Sequence, residues 1–331
     1  MYSTPQTHKA VGLGSPTSGL VELAIPTLNP GKDQVLSLSG EVVEVGENVT
    51  DLAVGDKVFS CTTYNSGPEG RAFQEYALLD QRLVGKVPSN ITLEESSTVP
   101  DALLSIFNTY FGAFKFHQPL PTEYPITTPP SDSAAPFLLW GASGGVGQYA
   151  LQLLRILGYT NVIAVASSKH HELLRSLGAT ATVDYKAPDA CEQIIGACGG
   201  PPKYVFDTIG DEEYSLKPIL KVVGPQTKLA YFVPIRVGPP GGVSQVMLKP
   251  SFEFPKGIEA ICIATSYDFE KVPRWEEWRP KTMPVLLQCG LLKPICYREI
   301  TGSTLLERAG SALDLLRRGE VSGERLTIRV S

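Results

Sequence analysis

The sequence predicts an α/β fold built on a doubly wound parallel sheet, with a second, β-rich domain attached. Three observations carry this expectation. A short apolar run, Phe137-Leu138-Leu139-Trp140, leads into a glycine-rich turn and then into an amphipathic stretch with Leu151, Leu154 and Leu157 on its apolar side. From there to about residue 233, strand-like and helix-like segments alternate at the lengths of βαβ crossovers. The first hundred residues differ, with short strand signals punctuated by glycine.

Composition sets the outer limits. With 331 residues, 43% of them hydrophobic, and a net charge of −5, the chain is long enough for two domains with buried cores. A mildly acidic balance gives no reason to expect nucleic acid or an anionic membrane as partner. The opening MYSTPQTHKA lacks the apolar centre of a secretory leader, and no run is long enough to span a bilayer. The six cysteines, at 61, 191, 198, 262, 289 and 296, form no Cys-x-x-Cys pair and read as reduced thiols of a cytoplasmic protein.

In chain order, Gly40–Gly46 alternates apolar and polar residues between glycines and reads as a strand. Leu52–Phe59 places a Gly-Asp turn before a second, and Ala72–Leu79 reads as a third. Ser89–Ser97, with Glu94 and Glu95, approaches a helix expected over Asp101–Phe111. Phe116–Ala135 carries five prolines and reads as an exposed loop. Strands are then expected at Phe137–Trp140, Asn161–Ala166, Ala181–Asp184, Tyr204–Asp207 and Lys228–Val233. Helices are expected after the glycine turn and at Glu172–Leu177, Cys191–Ala197 and Tyr214–Val222. Gly238–Gly242 and Ser251–Lys256 read as loops, Pro284–Cys289 and Thr304–Arg317 as helices, and Glu324–Val330 as a closing strand.

The turn carries the chemistry. Strand, glycines at 141, 144, 145 and 147, and helix follow in the order that builds a phosphate site. Glycine lets the backbone approach a pyrophosphate, and the free N–H groups of the first helical turn point at the anion. The spacing Gly141-x-x-Gly144-x-x-Gly147 is close to the dinucleotide fingerprint without matching it. Ser143 could add a hydroxyl donor, and Gly158 stands where a helix end favours positive φ. At the end of the next strand, where an NAD enzyme places a carboxylate, this chain has Ser167-Ser168-Lys169-His170. Two hydroxyls and a cation suit a 2′-phosphate. A charge-assisted contact worth roughly 1.5–3 kcal/mol favours NADPH by one or two powers of ten. The same residues also suit the polar start of the next helix, and the two roles are compatible.

Several stretches together resemble the medium-chain dehydrogenase/reductase superfamily. They are Gly40–Gly46 with Gly55-Asp56-Lys57-Val58, then Ala72–Ala77, Lys86-Val87-Pro88 with Glu94-Glu95, and Gly319–Leu326 near the end. The stretch GASGGVGQYALQLLRILG is similar to the zinc-independent quinone-oxidoreductase branch. The proline segment and Asp184-Tyr185-Lys186-Ala187-Pro188 are most similar to fungal trans-acting enoyl reductases of polyketide biosynthesis, enzymes of secondary metabolism. The resemblance implies a GroES-like domain over residues 1–107 and 272–331, apparently shortened, clasping a Rossmann domain over 108–271, with the cofactor in the cleft. It implies NADPH phosphates on Ser143, Gly144, Gly145 and Val146, with the 2′-phosphate near Ser167, Ser168, Lys169 and His170. Tyr185 would lie by the adenine, Phe232 and Val233 by the nicotinamide half, and Val321 and Ser322 on the clasping loop. Asp101, Leu104, Ser105 and Asn108 correspond to the substrate-lining segment. The implied activity is hydride transfer to a conjugated C=C, in a small-molecule or carrier-tethered enoyl substrate, with a polyketide synthase as the implied partner.

Two departures from the family pattern matter. There is no Gly-His-Glu signature, no four-cysteine lobe, and no cysteine at metal spacing from His8, His117, His170 or His171, so no metal is expected. Between the first strands the family carries a segment of the type Asn-Pro-x-Asp-Trp-Lys. Here Gly31–Leu36 runs through Ser37-Leu38-Ser39 straight into Gly40, and Asn29-Pro30 precedes the strand. The lost piece would include a barrel strand and a lysine at the nicotinamide end, leaving unpaired edges. Three readings stay open: skipped coding sequence, a shortened enzyme with a wider pocket, or a nucleotide-binding protein with non-redox or lost activity. A stand-alone quinone or enone reductase is a further alternative. Among other features, Trp275–Arg279 reads as half-buried packing, Arg317-Arg318 as a match to a helix dipole, and His117 as an exposed loop residue. Asp207 is either a cleft residue or a cap for the loop after it. No Ser-His-Asp or Cys-His set is recognisable, and no residue is assigned as catalytic.

Overall fold

The alternation of apolar runs and amphipathic helices after residue 136 assembles, in the computed structural model, into one six-stranded sheet. The structure describes residues 7–13, 20–26, 34–36, 39–61, 70, 74–238, 245–264 and 269–330. The chain divides into two compact units, Met1–Asp101 with Arg274–Ser331, and Ala102–Pro273.

The sheet belongs to the second unit and is parallel throughout. Its strands lie in the order Ala181–Val183, Val162–Val165, Phe137–Trp140, Tyr204–Asp207, Lys228–Phe232, Glu259–Ile263. Numbered along the chain this is 3-2-1-4-5-6, the doubly wound order whose switch point falls between Phe137–Trp140 and Tyr204–Asp207. The central strands read as unbroken apolar runs because they are covered on both faces, and every residue of Phe137–Trp140, Val162–Val165 and Tyr204–Asp207 is buried. One layer of the core joins Leu138, Ile163, Val205 and Leu229 to Ile194, Leu216 and Ile219. Another is aromatic: Phe137 meets Tyr110, Phe114 and Tyr204, and Tyr110 Oη donates to Ala150 O at 3.1 Å.

Most expected elements of this unit form within a residue or two of their predicted ends, and the exceptions have local causes. The helix expected over Asp101–Phe111 is α-helical over Pro100–Phe107 and widens over Asn108–Ala113, where Phe114 N–H reaches Thr109 O at 2.8 Å. Thr109 Oγ1 donates to Ser105 O at 2.9 Å and competes with the regular ladder there. The helix expected over Tyr214–Val222 starts as a wide turn, Glu212–Leu216, and is α-helical only over Lys217–Leu220. Pro218 has no N–H to continue the earlier ladder. The edge strand Glu259–Ile263 and the hairpin Ile235–Val237 with Gln245–Met247 carried no recognised sequence signal. The proline segment packs at its start through Phe116 on Tyr159 (ring centroids 4.6 Å) and near its end through Asp132, which accepts from Lys203 Nζ at 2.8 Å and Tyr204 Oη at 2.7 Å. The expected loop at Gly238–Gly242 falls, after Gly238, outside the described residues.

The first unit contains small sheets among the described residues. Thr7–Leu13 pairs with Leu20–Pro26, Gln34–Leu36 with Leu78–Asp80, and Lys57–Phe59 lies between Gly40–Glu41 and Gly85–Lys86. The strand expected over Gly40–Gly46 leaves the ladder after Glu41, because Val42 exchanges backbone bonds with the turn at Gly55 and Asp56. The one expected over Ala72–Leu79 is paired at Leu78–Asp80, and residues 72 and 73 lie outside the described residues. Val42, Leu52, Val58, Ala77, Leu79 and Val84 form its core. Trp275–Gln288 is one helical run, in which Trp278 and Arg279 are buried and Arg279 Nη1 lies 3.4 Å from Cys61 O and Leu83 O. Trp275 packs against the Arg82 guanidinium at 5.4 Å. Thr304 caps the helix Leu305–Arg317 in a reciprocal capping box with Glu307, and Arg325–Thr327 closes parallel to Tyr297–Glu299. Among the described residues no helix is long and apolar enough to cross a membrane.

Candidate functional site

Register places the site. Trp140 lies opposite Val165 on one side and Asp207 on the other, and Asp207 lies opposite Tyr231. The residues that follow these positions (Gly141, Ala166, Thr208 and Phe232) therefore line one carboxyl edge of the sheet, across its switch point.

At Gly141 the chain turns with φ of +79°, and both Gly141 N–H and Ala142 N–H donate to Val165 O, at 3.1 and 3.0 Å. The helix Gly145–Ile156 begins at once, with Gly144 as its N-cap residue and no side chain capping it. Its first internal bond is Gln148 N–H to Gly144 O at 2.9 Å, so the N–H groups of Gly145, Val146 and Gly147 precede the ladder, as the donors of an anion site do. Ser143 is half-buried beside them, its carbonyl accepting from Gln148 Nε2 at 2.8 Å. The glycines have separate roles. A Cβ on Gly141 would stand 2.5 Å from Thr208 Oγ1 and 2.6 Å from Ile209 Cδ1, and one on Gly147 would stand 2.5 Å from Gly141 O. A Cβ on Gly144 would meet only Gly141 O at 3.4 Å, an ordinary contact. Gly141 and Gly147 let the turn close on itself, and Gly144 leaves its outer side clear. This cradle fits a pyrophosphate.

The second cluster lies at the ends of the neighbouring strands, Val162–Val165 and Ala181–Val183. Ser167 is half-buried, and Ser168 and Lys169 are exposed in a short turn that runs into the helix His171–Leu177. Ser167 Oγ lies 3.5 Å from Tyr185 Oη, which sets the residue read as lying by the adenine next to one read for the 2′-phosphate. Burial and the nearby Lys169 push the His170 imidazole below its usual pKa, which keeps it neutral at pH 7. Sequence reasoning missed the carboxylate next door. Asp184 accepts from Ser168 N–H at 3.1 Å and from Lys186 N–H at 2.9 Å. Its only sequence signal was its place beside Tyr185.

At the fourth strand, Asp207 is fully buried and serves as a cap. Its Oδ1 accepts from Ile209 N–H at 2.9 Å and its Oδ2 from Ser215 Oγ at 2.7 Å. Burial pushes its pKa up to about 6 against the pull of these donors. Thr208 Oγ1 in turn donates to Trp140 O at 2.9 Å and seats this loop on the glycine turn. Phe232 and Val233 are half-buried at the end of the fifth strand, with the Phe232 ring edge-on to Phe206 at 5.3 Å. Gly210 approaches the Phe232 carbonyl so closely that a Cβ would stand 3.0 Å away.

Of the residues read as substrate-lining, Leu104, Ser105 and Asn108 are buried on the helix and its widened end, and Asp101 is paired with Arg325 at 3.2 Å. Val321 and Ser322 lie in the other unit, between the last helix and the last strand. His117 is exposed and lines a shallow apolar cavity with Pro119, Ile126 and Leu157. Among the described residues no group of three or more His, Cys, Asp or Glu side chains is placed to hold a metal ion.

This geometry has counterparts. The family profile described as zinc-binding dehydrogenase matches residues 145–247, and that described as alcohol dehydrogenase GroES-like domain matches residues 18–89. The chain is 30% identical over 304 residues to the trans-enoyl reductase himH of Aspergillus japonicus, an alignment covering 89% of this chain and 80% of that one. It is 36% identical over 193 residues to the trans-enoyl reductase tazE of Aspergillus terreus, covering 56% of this chain and 60% of the relative, so less than two thirds of tazE is spanned. The crystal structure of CurK enoyl reductase shares the fold with a TM-score of 0.70 at 15% identity, covering 98% of this chain and 100% of that one.

Proposed function

This chain belongs to the medium-chain dehydrogenase/reductase superfamily, and we propose that it is an NADPH-dependent, zinc-independent trans-acting enoyl reductase serving a polyketide synthase. The observation that carries the proposal is the himH alignment, which spans 89% of this chain and 80% of that relative. The glycine cradle on the carboxyl edge of a parallel sheet supports nicotinamide dinucleotide binding through Ser143–Val146. Lys169 with the hydroxyls of Ser167, Ser168 and Tyr185 supports the preference for a 2′-phosphate.

NADPH would supply the hydride, delivered to the β-carbon of an α,β-unsaturated thioester while a proton arrives at the α-carbon. The chain's own part is to bind and orient. Gly145, Val146 and Gly147 offer N–H groups to the pyrophosphate. Phe232 and Val233 would stand at the nicotinamide end, and the Leu104, Ser105 and Asn108 segment would line the substrate. The test follows absorbance at 340 nm with purified protein, NADPH and a short enoyl thioester. Oxidation of NADPH, with NADH turned over at least tenfold more slowly, supports the reading, and NADH turnover at an equal rate refutes the cofactor assignment.

A second reading draws on the absence of an Asn-Pro-x-Asp-Trp-Lys-type segment before Gly40. Under it the chain binds NADPH without reducing anything, and the same assay separates the two. Reduction of free quinones or enones, with no response to an acyl-carrier domain, would mark a stand-alone reductase.

A further inference from the structure

The Asp184 side chain bridges the turn after Val162–Val165 and the turn after Ala181–Val183. Val165 and Val183 lie opposite each other in the parallel ladder, so the two turns leave the sheet side by side. Asp184, the first residue after its strand, spans them, with Oδ2 accepting from Ser168 N–H at 3.1 Å and Oδ1 from Lys186 N–H at 2.9 Å. Ser167 Oγ and Tyr185 Oη come within 3.5 Å across the same gap, and Lys186 Nζ lies over the Tyr185 ring at 5.7 Å. A cation and two hydroxyls from separate strands thus stand on one frame, with Lys169 on the same turn as Ser168.

We propose that Asp184 is a positioning residue for the 2′-phosphate of NADPH, and that Lys186 is a second cation of that subsite. This rests on the NADPH reading above. A carboxylate beside a phosphate site looks out of place, but each oxygen here is engaged by a backbone donor. The Lys186 N–H first, and the Ser168 N–H with it, hold the Asp184 carboxyl below the usual carboxylate pKa, so the bridge stays ionised and intact at neutral pH. Nearby His171 adds to this pull. Asp184 thus acts through Ser168 and Lys186, whose placement it fixes, and Lys186 acts directly as a charge-assisted donor.

The test is calorimetric titration of the full chain with 2′,5′-ADP and with 5′-AMP, which share the adenosine and differ in the 2′-phosphate. Wild-type protein should bind 2′,5′-ADP at least tenfold more tightly than 5′-AMP. Asp184→Ala should weaken 2′,5′-ADP about tenfold while leaving 5′-AMP unchanged, and Asp184→Asn, which keeps one carbonyl acceptor, should recover part of the loss. Lys186→Met, at an exposed position where folding is not at risk, should weaken 2′,5′-ADP about tenfold with no effect on 5′-AMP. Wild type binding both ligands equally refutes the NADPH assignment and the subsite with it. A wild-type preference left unchanged in the Asp184 variants, or 2′,5′-ADP binding that tightens, refutes the positioning role alone. Parallel weakening of both ligands also refutes it, because it marks a general structural role. Unchanged binding in Lys186→Met removes Lys186 from the subsite.

Discussion

Gly147→Ala is the sharpest perturbation of the cradle, because its new Cβ would meet only backbone. The methyl would stand 2.5 Å from Gly141 O and 2.6 Å from Ala142 Cα and O, against ordinary contact at 3.4 Å or more. A shortfall of ~0.9 Å cannot be absorbed by a rotamer change, so helix and turn must separate. Overpacking of this kind costs about 1–3 kcal/mol, of which alanine's better helix propensity returns at most ~1 kcal/mol. The turn must shift by a comparable fraction of an ångström, and the N–H groups of Gly145 and Val146 move with it. We expect the melting temperature to fall by about 2–8 °C and NADPH affinity to fall about 10- to 100-fold. Gly144→Ala is the control. Its Cβ would meet only Gly141 O, at 3.4 Å, and its φ of −69° suits any residue. It should melt like the wild type yet bind NADPH at least tenfold more weakly, because the methyl occupies the side the pyrophosphate approaches. The assay is a fluorescence titration with NADPH beside a thermal melt. Gly147→Ala with wild-type affinity and melting temperature would refute the close-packed cradle, and Gly144→Ala with wild-type affinity would refute its outer face as the phosphate side.

Other perturbations test the frame around the cradle. Asp207 has a folded-state pKa of about 6, above its unfolded value near 3.8, so the folded state holds the extra proton between these values. The Asp207 contribution to stability should therefore be greatest below about pH 4, fall as pH rises to about 6 and level off above it. Asp207→Asn should lose that slope in melting temperature against pH. Asp132→Ala removes the acceptor for Lys203 and Tyr204 and should lower the melting temperature by a few degrees, ~1–2 kcal/mol after discounting for partial exposure. Asp132 is held below its usual pKa by Lys203 and Tyr204 despite burial that pushes it up. Its contribution should thus be present at neutral pH and lost on acidification through the carboxylate range. Thr304→Ala breaks the capping box of the last helix and should cost about 1 kcal/mol, read by denaturant titration.

The nucleotide-binding unit was legible wherever burial on both faces left an unbroken apolar run. Tyr204–Asp207 and Phe137–Trp140 have the same ends in sequence and structure. Glu259–Ile263 was not legible, because a short apolar run that follows a loop and not a helix does not by itself mark a strand. The helix at 214–222 was misjudged because periodicity does not reveal a wide turn, although Pro218 was a warning. At the site, the glycine spacing pointed to the cradle but not to the division of work among its glycines. That division depends on Thr208 and Ile209, which arrive from the neighbouring strand. The Asp184 bridge was hidden for the same reason, since it joins turns 16 residues apart in sequence.

The most direct test of the proposed function is the fate of the hydride. Purified protein, an enoyl thioester and NADPH carrying deuterium at the transferable position of C4 should yield a saturated thioester with one deuterium at the β-carbon and a solvent proton at the α-carbon, read by mass spectrometry and NMR. Tight NADPH binding with the enoyl thioester recovered unreduced and unlabelled would contradict the reductase and leave a nucleotide-binding protein on the same frame.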